Sequence, residues 1–238
     1  MKVVVVGYGA MGKLIAGMLN DELHDVVAIE CEHKSLFEVK GDFDVIIDFS
    51  NPANLDMICN YVSETKKPVV FATTGYSDQE LERINSLSSV APVLRSANFS
   101  LGVILLNKLV RDVTKVLKDS FDIEVLEAHH NRKVDAPSGT AKMLVDTIKD
   151  ETGYTVKSGR DGYSPRLKNE IGVHALRGGT IVGEHEVLYC GEDEIISLKH
   201  SAHSKKIFAV GAIKAARWLV NKEKGFYNMD DVLFGDNK

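Results

Sequence analysis

The stretch Glu127-Ala128-His129-His130-Asn131-Arg132-Lys133-Val134-Asp135-Ala136-Pro137-Ser138-Gly139-Thr140 gathers two imidazoles, a guanidinium and an ammonium, then runs into Pro-Ser-Gly-Thr. His and Lys side chains donate protons and carry positive charge, which is the equipment of general acid–base catalysis. The Pro-Ser-Gly-Thr run has the form of a turn into a helix start, where backbone N–H groups and hydroxyls face an anion. Together these residue types describe a site for a small anionic substrate that must be protonated. A solvated basic loop with a helix cap has the same composition, because charge runs usually lie on the surface.

A second chemistry-bearing run opens the chain. Gly7-Tyr8-Gly9-Ala10-Met11-Gly12 matches GxGxxG, directly after the β-branched run Lys2–Val6 and at the start of a helical pattern. That context is what gives the motif its meaning. The first Gly permits the tight turn, the second lets backbone approach a pyrophosphate, and the third lets helix and strand pack closely. The helix start then offers N–H groups and a positive dipole end to phosphates. Glu30 ends the second predicted strand roughly 20 residues on, where an acidic side chain binds ribose hydroxyls. A carboxylate there repels a 2′-phosphate and favours NADH, while His33 and Lys34 just after it could meet that phosphate, so NADPH stays open.

These runs need elements to position them. The first hundred residues alternate strands (Lys2–Val6, Val26–Glu30, Asp44–Phe49, Pro68–Ala72, Ala91–Arg95) with helices (Ala10–Asn20, Asn54–Glu64, Ser77–Leu87). Such alternation predicts a Rossmann-type parallel sheet covered on both faces. Ligands of such sheets sit beyond the carboxyl ends of the strands. Three further loops fall at that edge: Ser50-Asn51, Thr73-Thr74-Gly75 and Ser96-Ala97-Asn98-Phe99.

After a long helix over Ser100–Leu117 the pattern changes. A strand at Phe121–Ala128 and a helix at Ser138–Glu151 precede a polar Gly153–Asn169 segment, read as loop. Strands at Ile171–Leu176, Thr180–Tyr189 and Glu194–His200 then follow in quick succession. This predicts a second, α+β domain built on a mixed sheet. The final helix, about Lys205–Val220, carries an apolar stripe from Ala209 to Val220 that suits packing on the first domain. The expected division is 1–100 with 211–238 for the dinucleotide, and 101–210 for substrate and oligomerisation.

Composition sets outer limits. The chain has 238 residues, a net charge of −5, 44% hydrophobic and 26% charged residues, ordinary values for a globular protein. The mild acidity argues against a nucleic-acid binder. Cys31, Cys59 and Cys190 are scattered and form no CxxC pair, which disfavours a disulfide framework or zinc site and fits a reducing, cytoplasmic setting. No apolar run is long enough for a signal core or a membrane span. His174, His185, His200 and His203 do not group into a metal set: Glu184-His185-Glu186 sits on a predicted strand, whose neighbours point to opposite faces, and zinc needs three or four convergent ligands. No metal is expected.

The string E-x-H-H-x-x-K-x-D-x-P-S-G-T-A, spanning Glu127 to Ala141, resembles the signature of the 4-hydroxy-tetrahydrodipicolinate reductase family. Asp48-Phe49-Ser50, Thr73-Thr74-Gly75, Ala97-Asn98-Phe99-Ser100, Arg177-Gly178-Gly179 and Val182-Gly183-Glu184-His185 resemble it too, in the right order along nearly the whole chain. The resemblance implies a cytoplasmic homotetramer that uses NADH or NADPH to reduce a small cyclic imine dicarboxylate in lysine and diaminopimelate biosynthesis. By position it implies His129 and Lys133 as catalytic residues, with Lys133 the proton donor, and His130, Gly139 and Thr140 as substrate contacts. Nucleotide contacts would be Gly7, Tyr8, Gly9, Ala10, Met11, Gly12, Glu30, Ala72, Thr73, Thr74, Ser96, Ala97, Asn98 and Phe99. One departure is Ala10, where the family often has Arg. A plausible phosphate partner is thereby missing, though Lys13 or Lys34 could compensate.

Two other readings use part of the same evidence. Another two-domain Rossmann dehydrogenase would share the nucleotide loop but not require the His-His-x-x-Lys segment. A non-catalytic NADH-sensing regulator would keep Gly7–Gly12 and Glu30 but need neither Lys133 nor the Gly139-Thr140 cradle.

Overall fold

The computed structural model describes residues 1–22, 25–29 and 35–235. In chain order the elements are strand β1 (Lys2–Val6), helix α1 (Ala10–Asp21), β2 (Asp25–Ile29), β3 (Val45–Asp48), α2 (Leu55–Thr65), β4 (Val69–Phe71), α3 (Asp78–Ser86), β5 (Pro92–Arg95), α4 (Leu101–Leu117), β6 (Asp122–His129), α5 (Gly139–Thr152), β7 (Thr155–Ser158), β8 (Glu170–Arg177), β9 (Gly183–Cys190), β10 (Ile195–Ala202), α6 (Lys206–Leu219), β11 (Gly225–Tyr227) and α7 (Met229–Phe234). They form two compact units, one of Met1–Leu101 with Lys206–Lys238, the other of Gly102–Lys205.

The first unit is a Rossmann-type layer. Its six strands run in the order β11-β5-β4-β3-β1-β2, every pair parallel. Val3–Val6, Val45–Ile47 and Val69–Phe71 are almost wholly buried. Strands covered on both faces read as unbroken apolar runs rather than alternating ones, and that is why these short segments are rich in Val and Ile. The chain reverses its direction of travel across the sheet between β1 and β3, which is the switch point where such sheets hold ligands. Helix α6 lies against α1, β3 and β4, burying Ala209, Ala212, Ile213, Ala216 and Leu219. Gly211 is required there: an added Cβ would overlap the Phe99 carbonyl. Strand β11 and helix α7 extend this unit; the sequence pattern after α6 had given no hint of a further strand.

The second unit carries a mixed sheet in the order β10-β9-β6-β8-β7, with β6–β8 and β7–β8 parallel and β6–β9 and β9–β10 antiparallel. One face of it, with Ile123, Val125, Ile171, Val173, Val187 and Tyr189, packs on Leu106, Val110, Leu144, Val145 and Ile148 of α4 and α5. Burying each such aliphatic side chain is worth about 1.5–3 kcal/mol. The Tyr189 hydroxyl satisfies its polarity on the Val110 carbonyl and Thr114 Oγ1. The segment Gly153–Asn169, read from its polarity as loop, contains β7 at Thr155–Ser158. All four β7 residues are exposed, so an edge strand without a buried face left no periodic apolar signal.

Candidate active site

From Ile123 onward strand β6 alternates between buried and half-buried residues. Ile123 and Val125 bury apolar side chains on its helix-facing side; two and four residues further on the same side come Glu127 and His129, both buried. Period-two geometry thus carries a carboxylate and an imidazole onto the face that elsewhere forms the core. Such groups need partners, because an unpaired buried charge is strongly unfavourable.

Glu127 is supplied with three partners that make four contacts. Arg177, at the end of β8 and opposite His129 in register, donates Nη1 to Oε2 at 2.8 Å and Nη2 to Oε1 at 2.7 Å. The Ser138 amide donates to Oε1 at 3.0 Å, and His129 Nδ1 lies 2.7 Å from Oε2. Burial opposes the charge on Glu127, but the bonds from Arg177, His129 and Ser138 outweigh it and hold the carboxyl below its usual range. Arg177 Nη2 also reaches the Asp135 carbonyl at 2.6 Å, and the Asp135 carboxylate pairs with Lys133 Nζ at 2.7 Å. That ammonium pulls Asp135 down in its turn.

Ser138 then starts α5. Its Oγ accepts from the Ala141 amide at 3.2 Å and lies 2.9 Å from His185 Nε2 on β9. This N-cap leaves Gly139 and Thr140 in the helix's first turn, where amides and the dipole favour a carboxylate. A Cβ added at Gly139 would meet nothing within 4 Å, so space stands open over that amide. The His129 and His185 rings meet edge to face at 5.2 Å. Burial and the neighbouring His129 lower the His185 pKa to about 4. His130 is half-buried, and its Nδ1 is buried with no hydrogen-bond partner among the described residues.

So the second unit brings His129, His130, Lys133, Gly139 and Thr140 together around β6 and the start of α5. Glu127, Ser138, Arg177 and His185 complete the network; residue types mark Ser138 as part of the helix start and give the other three no role. The signal for Glu127 was the two-residue spacing to His129. Strand alternation, which argues against a metal set at Glu184-His185-Glu186, holds: Glu184 and Glu186 lie on the other face, and His185 is turned toward Ser138. Among the described residues no His, Cys, Asp and Glu group could hold a metal ion.

The first unit assembles the glycine-loop residues at the carboxyl ends of β1 and β3. Gly7 has φ +92°, and a Cβ there would press on Phe49 backbone 2.4 Å away. A Cβ at Gly12 would overlap the Gly7 carbonyl, so α1 can start this close to the turn only with Gly at that position. Gly9 differs: an added Cβ there meets nothing within 4 Å. Gly9 N-caps α1 without a side-chain hydrogen bond, so the helix start is left to a ligand rather than capped from within. These features fit a dinucleotide pyrophosphate. Tyr8, Gly9 and Ala10 are exposed and Met11 half-buried. Lys13 stands over the Tyr8 ring, 5.4 Å from its centroid. Glu30, Cys31, His33 and Lys34 lie outside the described residues.

The neighbouring loops are tied together by Asp48, which is fully buried. It accepts from the Ser50 amide at 3.1 Å and from the Tyr76 hydroxyl at 2.9 Å, and the Ser50 amide also reaches Thr73 Oγ1 at 2.8 Å. Burial raises the Asp48 pKa, with those hydrogen bonds working against the rise. Ala72 and Thr73 are buried and Thr74 exposed. In the last loop Ser96 Oγ bonds the Asn98 carbonyl at 2.8 Å, Ala97 is exposed, and Phe99 is buried.

Comparison with known proteins shows the family. Residues 1–99 match the family model described as dihydrodipicolinate reductase, N-terminus, and residues 102–233 match the corresponding C-terminus model. The chain is 43% identical over 99% of its length to the 4-hydroxy-tetrahydrodipicolinate reductase of Clostridium novyi, of which it covers 99%. It is 45% identical over 98% of its length to that of Clostridium botulinum, again covering 98%. Among solved structures, a dipicolinate-bound dihydrodipicolinate reductase from Paenisporosarcina sp. TG-14 superposes with a TM-score of 0.77 at 21% identity, over 96% of this chain and 97% of that one, which speaks for the shared fold.

Proposed function

The chain belongs to the dihydrodipicolinate reductase family, as an NAD(P)H-dependent oxidoreductase, and from that premise we propose that it reduces 4-hydroxy-tetrahydrodipicolinate to tetrahydrodipicolinate with loss of water. The observation that carries this reading is that the buried Glu127 carboxylate joins His129 to the α5 start, with Lys133 linked to the same network through Asp135 and Arg177.

The nucleotide falls to Gly7–Gly12 and the loops at Ala72–Thr74 and Ser96–Phe99. When bound, reduced nicotinamide supplies the hydride. The remaining work belongs to side chains of the second unit. One substrate carboxylate sits on the amides of Gly139 and Thr140, aided by the α5 dipole. His130, with its unpartnered Nδ1, supplies a further polar contact. Loss of the 4-hydroxyl as water leaves a conjugated ring, and hydride at that carbon leaves an enamine whose neighbouring carbon takes a proton. Lys133 delivers that proton with His129 beside it, a contribution worth about 10²–10⁴-fold. Lys133 rests against the Asp135 carboxylate, and its ammonium has three N–H donors, so that contact leaves donors for the substrate.

The face of the second sheet opposite α4 and α5 carries Leu126, Leu176 and Ile195, the last two well exposed. It is the surface on which copies of the chain would assemble as a tetramer. NADH is favoured over NADPH because Ala10 provides no cation at the glycine loop.

Steady-state oxidation of NADH and of NADPH, followed optically with and without the cyclic imine, tests the reading. Imine-dependent oxidation, faster with NADH, is expected. Nucleotide binding without turnover of the imine would overturn it.

A further inference from the structure

The geometry points to the pair of buried Glu127 and half-buried Arg177 as the positioning element of this site: it fixes the His129 ring with the proton on Nδ1 and Nε2 as the exchanging nitrogen, and the same carboxylate sets the start of α5. The inference rests on His129 acting in the reaction, as read above, but its central claim concerns the ring itself.

The Glu127 side chain has no solvent exposure, and that of Arg177 has 19%. Two of the donors on this carboxylate, the guanidinium and the Ser138 amide, can only donate. They satisfy Glu127 without a proton of its own, and an ionised carboxylate can only accept. The 2.7 Å contact with His129 therefore has the hydrogen on Nδ1. Nε2 is left as the basic nitrogen when the ring is neutral. It makes no hydrogen bond to any described residue, and the strand beside it is glycine: a Cβ at Gly183 would come within 3.1 Å of Nε2. The ring edge that could exchange protons is thus kept clear by the absence of a side chain on β9.

Arg177 explains why the arrangement is tolerable in a buried place. A lone buried carboxylate is costly, whereas a bidentate Arg–carboxylate pair is both neutral overall and fixed in geometry. A proton can then arrive at and leave Nε2 next to a pair of zero net charge. His185, the other ring in contact, is kept neutral by burial and so adds no competing charge. The same pair reaches the two other working parts. Arg177 holds the Asp135 carbonyl, whose residue pairs with Lys133, and Glu127 holds the Ser138 amide one residue before Gly139 and Thr140. One carboxylate and one guanidinium thus register an acid–base ring, the lysine's resting partner and the anion cradle.

The test has two arms. In wild-type protein labelled with ¹⁵N-histidine, with His129 identified by the signal lost in His129→Gln, the neutral ring should be the Nδ1–H form. Imidazole side chains free in water favour Nε2–H, so the two answers are distinct, and an Nε2–H ring would overturn the inference whatever the enzyme's substrate proves to be. In Glu127→Gln, kcat should fall at least about a hundredfold, since holding a catalytic imidazole in the wrong tautomer costs up to about 10⁴-fold. The pH dependence of kcat/KM assigned to His129 should shift with it. A kcat within threefold of wild type and an unchanged pH profile would also overturn it. Should Glu127→Gln fail to fold, the wild-type ring measurement decides alone.

Discussion

The two helix starts proposed as ligand sites are built by opposite means. Helix α1 begins at Gly9 with no side chain on its amides, and its loop is shaped by glycines whose missing Cβ atoms let backbone touch backbone. Helix α5 begins at Ser138, whose side chain caps it and whose amide is held by a buried Glu that Arg177 neutralises. The first is a site made by subtraction, suited to a phosphate group that any reductase of this shape must hold. The second is made by adding charged side chains to a core face, where an imidazole and a carboxylate are held in contact. Generic binding needs only backbone; the chemistry particular to one substrate needs side chains that burial has forced into fixed partnerships.

Changing one region at a time should break the molecule in two different ways. The largest effect is expected in the α5 region. Lys133→Ala should cut turnover by at least about a hundredfold, the lower end of what a positioned proton donor contributes. Nucleotide affinity, measured by fluorescence titration of NADH, should stay within about twofold, because the glycine loop is untouched. Near-normal turnover would remove Lys133 from the role given to it.

The complementary break is Gly12→Ala. The new Cβ would fall 1.8 Å from the Gly7 carbonyl, so α1 must back away from the turn. Overpacking of this kind costs about 1–3 kcal/mol, and the amides at the helix start move with it. Nucleotide affinity should fall at least about tenfold and the thermal midpoint should drop, while calorimetric binding of a ring dicarboxylate to the second unit should persist. Equal loss of both bindings would mean that the two regions are not separable as described.

These regions were unequally legible in the sequence. The parallel layer announced itself because strands covered on both faces must be runs of Val and Ile, and because GxGxxG means something only between such a strand and a helix. The His129–Thr140 segment was visible as a set of donors, and its spacing matched a family signature. The brace behind it was not visible. Arg177 lies fifty residues from Glu127 and meets it only because β6 and β8 pair in parallel at one register. His185 is joined to Ser138 across a similar gap. Pairing register is set by the whole sheet and leaves no local mark. Strand β7 was missed for the converse reason: it is an edge strand that buries nothing, so its pattern could not alternate.

The gentlest probe of the comparison is acid, because buried groups in the two units respond with opposite sign. Burial, with His129 beside it, pushes the His185 pKa from an ordinary 6.5 down to about 4. Between those values the unfolded chain takes up a proton that the folded one refuses, so stability falls as pH drops, by at most about 1.4 kcal/mol per pH unit for this group. His200, lowered by its own burial, acts in the same direction. Glu127 contributes only further down, because a carboxyl held below its ordinary 4.5 loses its stabilising effect as pH falls through that lower value. Asp48 in the first unit has the reverse sign: its pKa is raised by burial, so the folded chain takes up its proton before the unfolded chain does, and acid relieves a penalty. Hydrogen exchange, corrected for intrinsic rates, should therefore show β6 and β9 losing protection between pH 6.5 and 4.5 while β3 and β4 do not. His185→Gln keeps a hydrogen-bonding partner for Ser138 and removes one titrating ring, so it should make the loss in β6 and β9 shallower without abolishing it. Parallel loss in both sheets, unaltered in His185→Gln, would mean that acid acts on the chain as a whole and not on the charged network behind α5.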